Sequence, residues 1–236
     1  MKAMKKFGLL LLAAFAAAGL ASCNSSSSDG PTVQSFVTVH KGFGSDYSFE
    51  TDAGRTIWPG DKSNIGSYEA VEGARALIYY SLLDMPAEGY NLNVKLYGIV
   101  SVTSAPVEVV DTQEKLDAMK KDLIVGAGGQ LVGSWINFIV RYVASSENVA
   151  KHKFHLIVNE TAEPVRTKEG YLNLELRHDA GSEYSGLYYD CALSFNTASI
   201  AELLEGKEGI IVSYYDGTQE QWLEIKRTDI ETAAQL

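Results

Sequence analysis

Two histidines three residues apart, His152 and His155, are the first residues in this chain whose type and spacing could do chemistry. Imidazoles bind metals and carry protons. A spacing of three suits one face of a helix, but on a strand it turns the two rings to opposite faces. The residues around them read as a strand, and no third ligand is in place, so no metal site is expected. Arg177-His178-Asp179 sets a base beside an acid, the pair that orients a catalytic imidazole. Adjacent strand residues point apart, so a satisfied surface pair is expected. His178 is the best candidate base if a hydrolytic site assembles from distant residues. Gly126, Gly128, Gly129 and Gly133 resemble a phosphate loop only in composition. Leu131 breaks the G-x-G-x-x-G pattern, and no Gly-Lys-Ser/Thr follows. These glycines are expected to make the turn before a strand at Trp135. No G-x-S-x-G elbow occurs. Glu202 and Glu205 sit in a short helical patch over 199–204, with solvated charges. No catalytic residue, metal or cofactor is expected, and the chain is read as a non-enzyme.

Cys191 lies in Tyr189-Asp190-Cys191-Ala192-Leu193-Ser194-Phe195, whose alternation puts Tyr189, Cys191, Leu193 and Phe195 on one strand face. It reads as a small core residue rather than a nucleophile. The only other cysteine is Cys23, so no disulfide framework follows. Tyr79-Tyr80, Tyr188-Tyr189 and Tyr214-Tyr215 are adjacent pairs on strands, each with one ring in and one out. Outward tyrosines can bind sugars or protein partners, although tyrosine is also an ordinary strand former.

Positioning these residues is the task of an all-β chain. Period-2 alternation marks strands over 36–40, 47–51, 55–58, 74–83 and 92–102, with Asp52-Ala53-Gly54 as a turn. In the last strand, Leu92, Val94, Leu96, Val100 and Val102 are expected inward, and Asn93, Lys95, Tyr97 and Ser101 outward. Five strands in about 70 residues fit a small OB-like barrel. A helix is expected over 112–121, capped by Thr112, with Leu116 and Met119 apolar and Lys120 and Lys121 in its last turn. Strands near 123–125, 135–142, 154–158, 172–178, 188–195, 209–215 and 221–227 follow, the last two joined through Asp216-Gly217. That spacing reads as a β-sandwich. The expected domains are 34–111 for the barrel and 112–236 for the sandwich.

Ahead of both lies a targeting pattern. Lys2, Lys5 and Lys6 precede an uncharged apolar run from Phe7 to Ala21. At about 15 residues it is too short to span a bilayer but suits a signal peptide, expected over 1–22. Leu20-Ala21-Ser22-Cys23 resembles the bacterial lipobox, in which the cysteine thiol receives a diacylglycerol. Cys23 is thus the expected lipidation site, and 23–33 a flexible tether containing a serine run. Each buried acyl CH₂ contributes about 0.8 kcal/mol to anchoring. The formal net charge is -10, and loss of the lysine-bearing leader makes the rest more negative. Nucleic acid is thereby excluded as an expected partner.

Several local phrases resemble the NigD-like lipoproteins of Bacteroidales. They are Asp52-Ala53-Gly54-Arg55-Thr56-Ile57-Trp58-Pro59, the phrase from Val71 to Tyr80 with its Gly-x-Arg-apolar run ending in tyrosine, Leu174-Glu175-Leu176-Arg177-His178-Asp179-Ala180, and Tyr214-Tyr215-Asp216-Gly217. The resemblance implies an N-terminal OB-like domain and a C-terminal immunoglobulin-like sandwich. It implies no known reaction. The family name comes from a bacteriocin operon. Asn24 after Cys23 is compatible with sorting to the outer membrane, while the lone acid of the tether, Asp29, leaves the facing side open. The expectation is a membrane-tethered envelope module that binds a glycan or an envelope protein. Bacteriocin immunity or an accessory role is the alternative, followed by an envelope hydrolase. One OB sheet face commonly binds ligand, which makes Asn93, Lys95 and Tyr97 the candidate patch.

Overall fold

The computed structural model describes residues 32–181 and 186–229. The leader, Cys23 and the serine tether lie outside the described residues. The chain divides into two compact units.

Strands β1 (Val33–Lys41), β2 (Tyr47–Thr51), β3 (Thr56–Asp61), β4 (Arg75–Leu82) and β5 (Leu92–Ser101) close a barrel in the order β1-β2-β3-β5-β4. β1 pairs antiparallel with both β2 and β4, and β3 pairs parallel with β5. Alternating apolar residues fill the interior: Val37, Val39, Phe49, Ile57, Ile78, Val94 and Leu96 are fully buried. Each such side chain contributes roughly 1.5–3 kcal/mol by leaving water. Gly54 turns β2 into β3 with φ +77°, a conformation that glycine adopts without strain.

β5 departs from strict alternation. Tyr79 pairs with Gly98 but Tyr80 with Leu96, so Tyr97 is an extra residue on the β5 side. A bulge of this kind exchanges the two faces beyond it. Ile99 therefore packs against the core while Val100, expected inward, is 45% exposed. Beside the core sits a buried ion pair. Arg75 Nη2 donates to Asp52 Oδ2 at 2.9 Å, Nη1 lies 2.7 Å from Oδ1, and Nη1 also donates to Thr38 Oγ1 at 3.0 Å.

The second unit is a β-sandwich whose strands hydrogen-bond in one continuous order. After β6 (Thr103–Pro106) and β7 (Glu108–Val110) come β8 (Gly126–Val132), β9 (Trp135–Ala144), β10 (Lys153–Asn159), β11 (Tyr171–Asp179), β12 (Leu187–Asn196), β13 (Gly209–Tyr215) and β14 (Glu220–Thr228). Their order is β6-β12-β9-β8-β14-β13-β11-β10-β7, with β7/β10 and β11/β13 parallel. β6 and β7 thus pair in this second sheet, although the sequence boundary after residue 111 set them with the barrel. Phe138, Phe195, Leu131, Ile136, Leu156 and Leu176 lead the core.

Two expectations fail around the glycine cluster. The stretch 123–125 is not a strand, and Gly126–Gly129 open strand β8 rather than a turn. β8 lies so close to β9 that a Cβ on Gly129 would stand 2.7 Å from the Phe138 ring. Glycine in a strand marks this kind of close approach. The turn is confined to the next residues, with Gly133 at φ +55°.

Helix α1 (Gln113–Ala118) is capped by Thr112, whose side chain accepts from the Lys115 amide. It ends earlier than expected, leaving Lys120 and Lys121 beyond it. Arg177 provides the reason, because its Nη1 donates to the Leu116 and Met119 carbonyls at 3.3 and 3.1 Å. A cation there satisfies the carbonyls at the helix end and favours termination. The expected patch at 199–204 is a 3₁₀ turn (Ala198–Ile200) followed by α2 (Ala201–Leu204), with Glu202 and Glu205 exposed.

Candidate functional site

The histidines do not form a reactive site. His155 Nδ1 lies 2.8 Å from Glu108 Oε1, while His152 turns the other way into the sandwich. There His152 Nδ1 meets His178 Nε2 at 2.8 Å, and His178 Nδ1 meets the Leu123 carbonyl oxygen at 2.8 Å. A carbonyl only accepts, so His178 carries its proton on Nδ1. Its Nε2 then accepts from His152. Phe154 stacks on His178 at 4.6 Å, and Tyr142 meets it edge-on at 5.6 Å. Burial pushes the His178 pKa below its ordinary value, and the neighbouring His152 adds to this.

His178 is therefore 1% exposed with both nitrogens occupied, a core residue and not the surface pair expected. Alternation counted from Leu172 puts His178 on the Leu174 and Leu176 side, so the inward direction was readable. Arg177 is buried as well, at 7% exposure, because it holds the end of α1 and also the Glu175 carboxylate. Asp179 instead accepts from the Gly181 amide. Cys191 packs at the margin of the sandwich core, and burial pushes its thiol up to about 12, the nearby Asp190 charge adding to the shift. Among the described residues, no group of three or more His, Cys, Asp and Glu side chains could hold a metal.

Asn93, Lys95 and Tyr97 do lie along one stretch of β5. The Lys95 ammonium stands 5.6 Å from the Tyr97 ring centre, and the Tyr97 and Ser81 hydroxyls are 3.1 Å apart. Asn93 is engaged within the chain: its Nδ2 donates to the Met85 carbonyl at 2.8 Å, and its Oδ1 is buried against Gly60. Trp58, opposite Asn93 in register, packs at 5.2 Å on Tyr90.

The tyrosine pairs split as alternation requires. Tyr80 and Tyr214 are buried, whereas Tyr79 and Tyr215 are half-buried on the other face. Tyr188 is 71% exposed, and Tyr189 packs on Tyr142.

The second unit carries a groove that none of these motifs marked. Across β11, β13 and β14, Glu175 lies opposite Ser213, and Ser213 opposite Trp222. The segment from Ala162 to Arg166 forms the facing wall. Lys121 forms an ion pair with Glu220 and lies 3.9 Å from Glu175. Glu175 also accepts from Asn159 Nδ2 at 2.7 Å and from Arg177. Glu220 Oε2 is buried without a hydrogen-bond partner. Trp222 keeps 36% of its surface exposed. The sequence carried one signal for this place: Leu223 and Ile225 alternate inward on β14, so Trp222 must face outward. An outward tryptophan is a more informative residue than a buried one.

No curated protein matches the chain in sequence. Solved structures do resemble it. A protein of unknown function from Bacteroides vulgatus is 20% identical, covering 84% of this chain and 92% of its own, with a TM-score of 0.68. A candidate lipoprotein from Bacteroides fragilis is 15% identical over 84% of this chain and 99% of its own, at a TM-score of 0.61. A NigD-like immunity protein from Bacteroides caccae is 21% identical over 84% of this chain and 94% of its own, at 0.57. At these identities the likeness is one of fold. Two family models match directly: the NigD-like N-terminal OB domain over residues 36–102 and the NigD-like C-terminal beta sandwich domain over residues 107–227. With the closed five-strand barrel and the sandwich now described, the chain belongs to the NigD-like family.

Proposed function

We propose that this protein is a non-enzymatic binding module of the cell envelope, held by a lipid at Cys23. The groove beside Trp222 carries the reading. It sets one exposed tryptophan and the apolar Ala162, Pro164 and Val165 beside a set of charged and polar side chains, so a ligand could find both a contact face and orienting polar groups there. Its Lys121, Glu175 and Glu220 hold one another in ion pairs rather than standing as a free base or nucleophile. The lipobox-like Leu20-Ala21-Ser22-Cys23 supports the anchor, as does the likeness to a candidate lipoprotein. No helix among the described residues is long and apolar enough to cross a membrane. The outer membrane is the proposed address, and a glycan or an envelope protein the proposed partner class. Lys95 and Tyr97 offer a second surface on the barrel, with Asn93 tied to the Met85 carbonyl beside them. Binding retained after alanine substitution of all three removes that surface from the reading.

Bacteriocin immunity is the second reading, favoured by the likeness to the Bacteroides caccae immunity protein. Deletion of the gene separates the two, since unchanged bacteriocin sensitivity refutes immunity. Protease shaving of intact cells, with a periplasmic protein as leakage control, tests the address. Cleavage of the two domains with the control intact places them outside the cell. Cys23→Ser is expected to release the protein from membranes, and a variant that stays membrane-bound refutes the lipid anchor.

A further inference from the structure

We propose that the groove between β14 and the 162–166 segment binds a neutral saccharide, with the Trp222 indole under a sugar face and Glu220 Oε2 accepting from a sugar hydroxyl. This rests on the binding-module reading and names the ligand class for its groove.

Three observations select that class. First, Trp222 sits on the outward face of the sheet, beside Ser213, with 36% of its surface exposed. The face of an indole carries negative quadrupole charge, and it attracts the weakly positive C–H bonds that line one side of a pyranose ring. Second, Glu220 Oε2 is shielded and without a partner, the other carboxylate oxygen being taken by Lys121, while the side chain as a whole is 30% exposed at the groove, so a turn of the carboxylate brings Oε2 within reach of a ligand. A buried acceptor left in that state is unfavourable, and a ligand hydroxyl relieves it. Ser213 and Asn173 line the same groove and make no side-chain hydrogen bonds within the described residues, so they add further donors and acceptors. Third, the charges oppose ionic ligands of either sign. Lys121 and Arg166 line the groove together with Glu163, Glu175 and Glu220. Arg177 on Glu175 brings the cations to three against three carboxylates, so an acidic saccharide finds no net attraction. A cationic ligand would compete with Lys121 for its seat between two carboxylates, and a single indole wall is not the cage that quaternary ammonium ligands need.

The test uses the full-length chain purified in detergent. It is presented to an array of neutral oligosaccharides of hexoses and N-acetylhexosamines, with uronic and sialic acid oligosaccharides alongside. Hits are then titrated by calorimetry. The expected result is binding confined to neutral sugars, weakened at least tenfold by Trp222→Ala and by Glu220→Gln. The glutamine keeps its amide oxygen on Lys121 and turns a donor into the groove in place of the acceptor. If Trp222→Ala loses its fold by circular dichroism, Glu220→Gln carries the test. Preference for acidic sugars, or affinity unchanged in both variants, overturns the inference. Silence on the array, with crosslinking in cells capturing an envelope protein through another surface, overturns it and leaves the binding-module reading standing. Silence in both assays overturns the two together.

Discussion

Replacing His178 with phenylalanine tests whether the buried histidine pair is structural. Phenylalanine keeps the ring, so stacking on Phe154 at 4.6 Å and the edge contact with Tyr142 survive. What is lost are the bonds to the Leu123 carbonyl and to His152 Nδ1, both at 2.8 Å. Each buried polar group deprived of its partner costs about 1–3 kcal/mol. Leu123 is only half-buried, so the lower half of the sum applies, about 2–4 kcal/mol at pH 7.5. The pH dependence gives an independent signature. The His178 pKa is lowered in the fold from its ordinary 6.5. Below that value the unfolded chain takes up a proton that the folded chain resists, so stability falls as pH falls. The contribution is complete above 6.5 and is lost as pH drops through the lowered value, with a slope of at most about 1.4 kcal/mol per pH unit. The phenylalanine variant lacks this slope, so its deficit against the parent narrows between pH 7.5 and pH 5. Urea unfolding at a series of pH values measures the deficit. Hydrogen exchange of peptides from β10 and β11 assigns it to the second unit, as a two-unit chain requires. A variant as stable as the parent, or a deficit constant with pH, refutes the reasoning.

Cys191 is expected to react with maleimide in the native protein at pH 8 on the order of a thousandfold more slowly than in urea, because only the thiolate attacks and burial suppresses it. Equal rates would contradict its packing at the core margin. Gly209→Ala is expected to cost about 1–3 kcal/mol by overpacking, because its Cβ would stand 2.3 Å from the Ile225 carbonyl oxygen and 2.6 Å from the Tyr171 ring. Gly66→Ala, with no atom within 4 Å of its Cβ, is the matched control, and equal melting temperatures for the two variants would sink the argument.

Local patterning in the sequence determined the class of this protein. Alternation located all five barrel strands to within a few residues, because a strand with one buried face writes its period directly into the chain. The same rule split the tyrosine pairs and put Cys191 beside the core. Family phrases pointed to the same two domains in the same order. The tertiary structure decided everything that depends on a neighbour distant in sequence. The bulge at Tyr97 sends Val100 outward, and it exists only through the register against β4. Gly126–Gly129 become strand because β9 lies against them, which composition alone reads as a turn. Arg177 ends α1 about 60 residues upstream, and His178 finds both its partners at a distance. The groove beside Trp222 joins Lys121, Glu175 and Glu220 from separate segments. Periodicity could assign each of these residues a face, but only the folded sheet order made those faces adjacent.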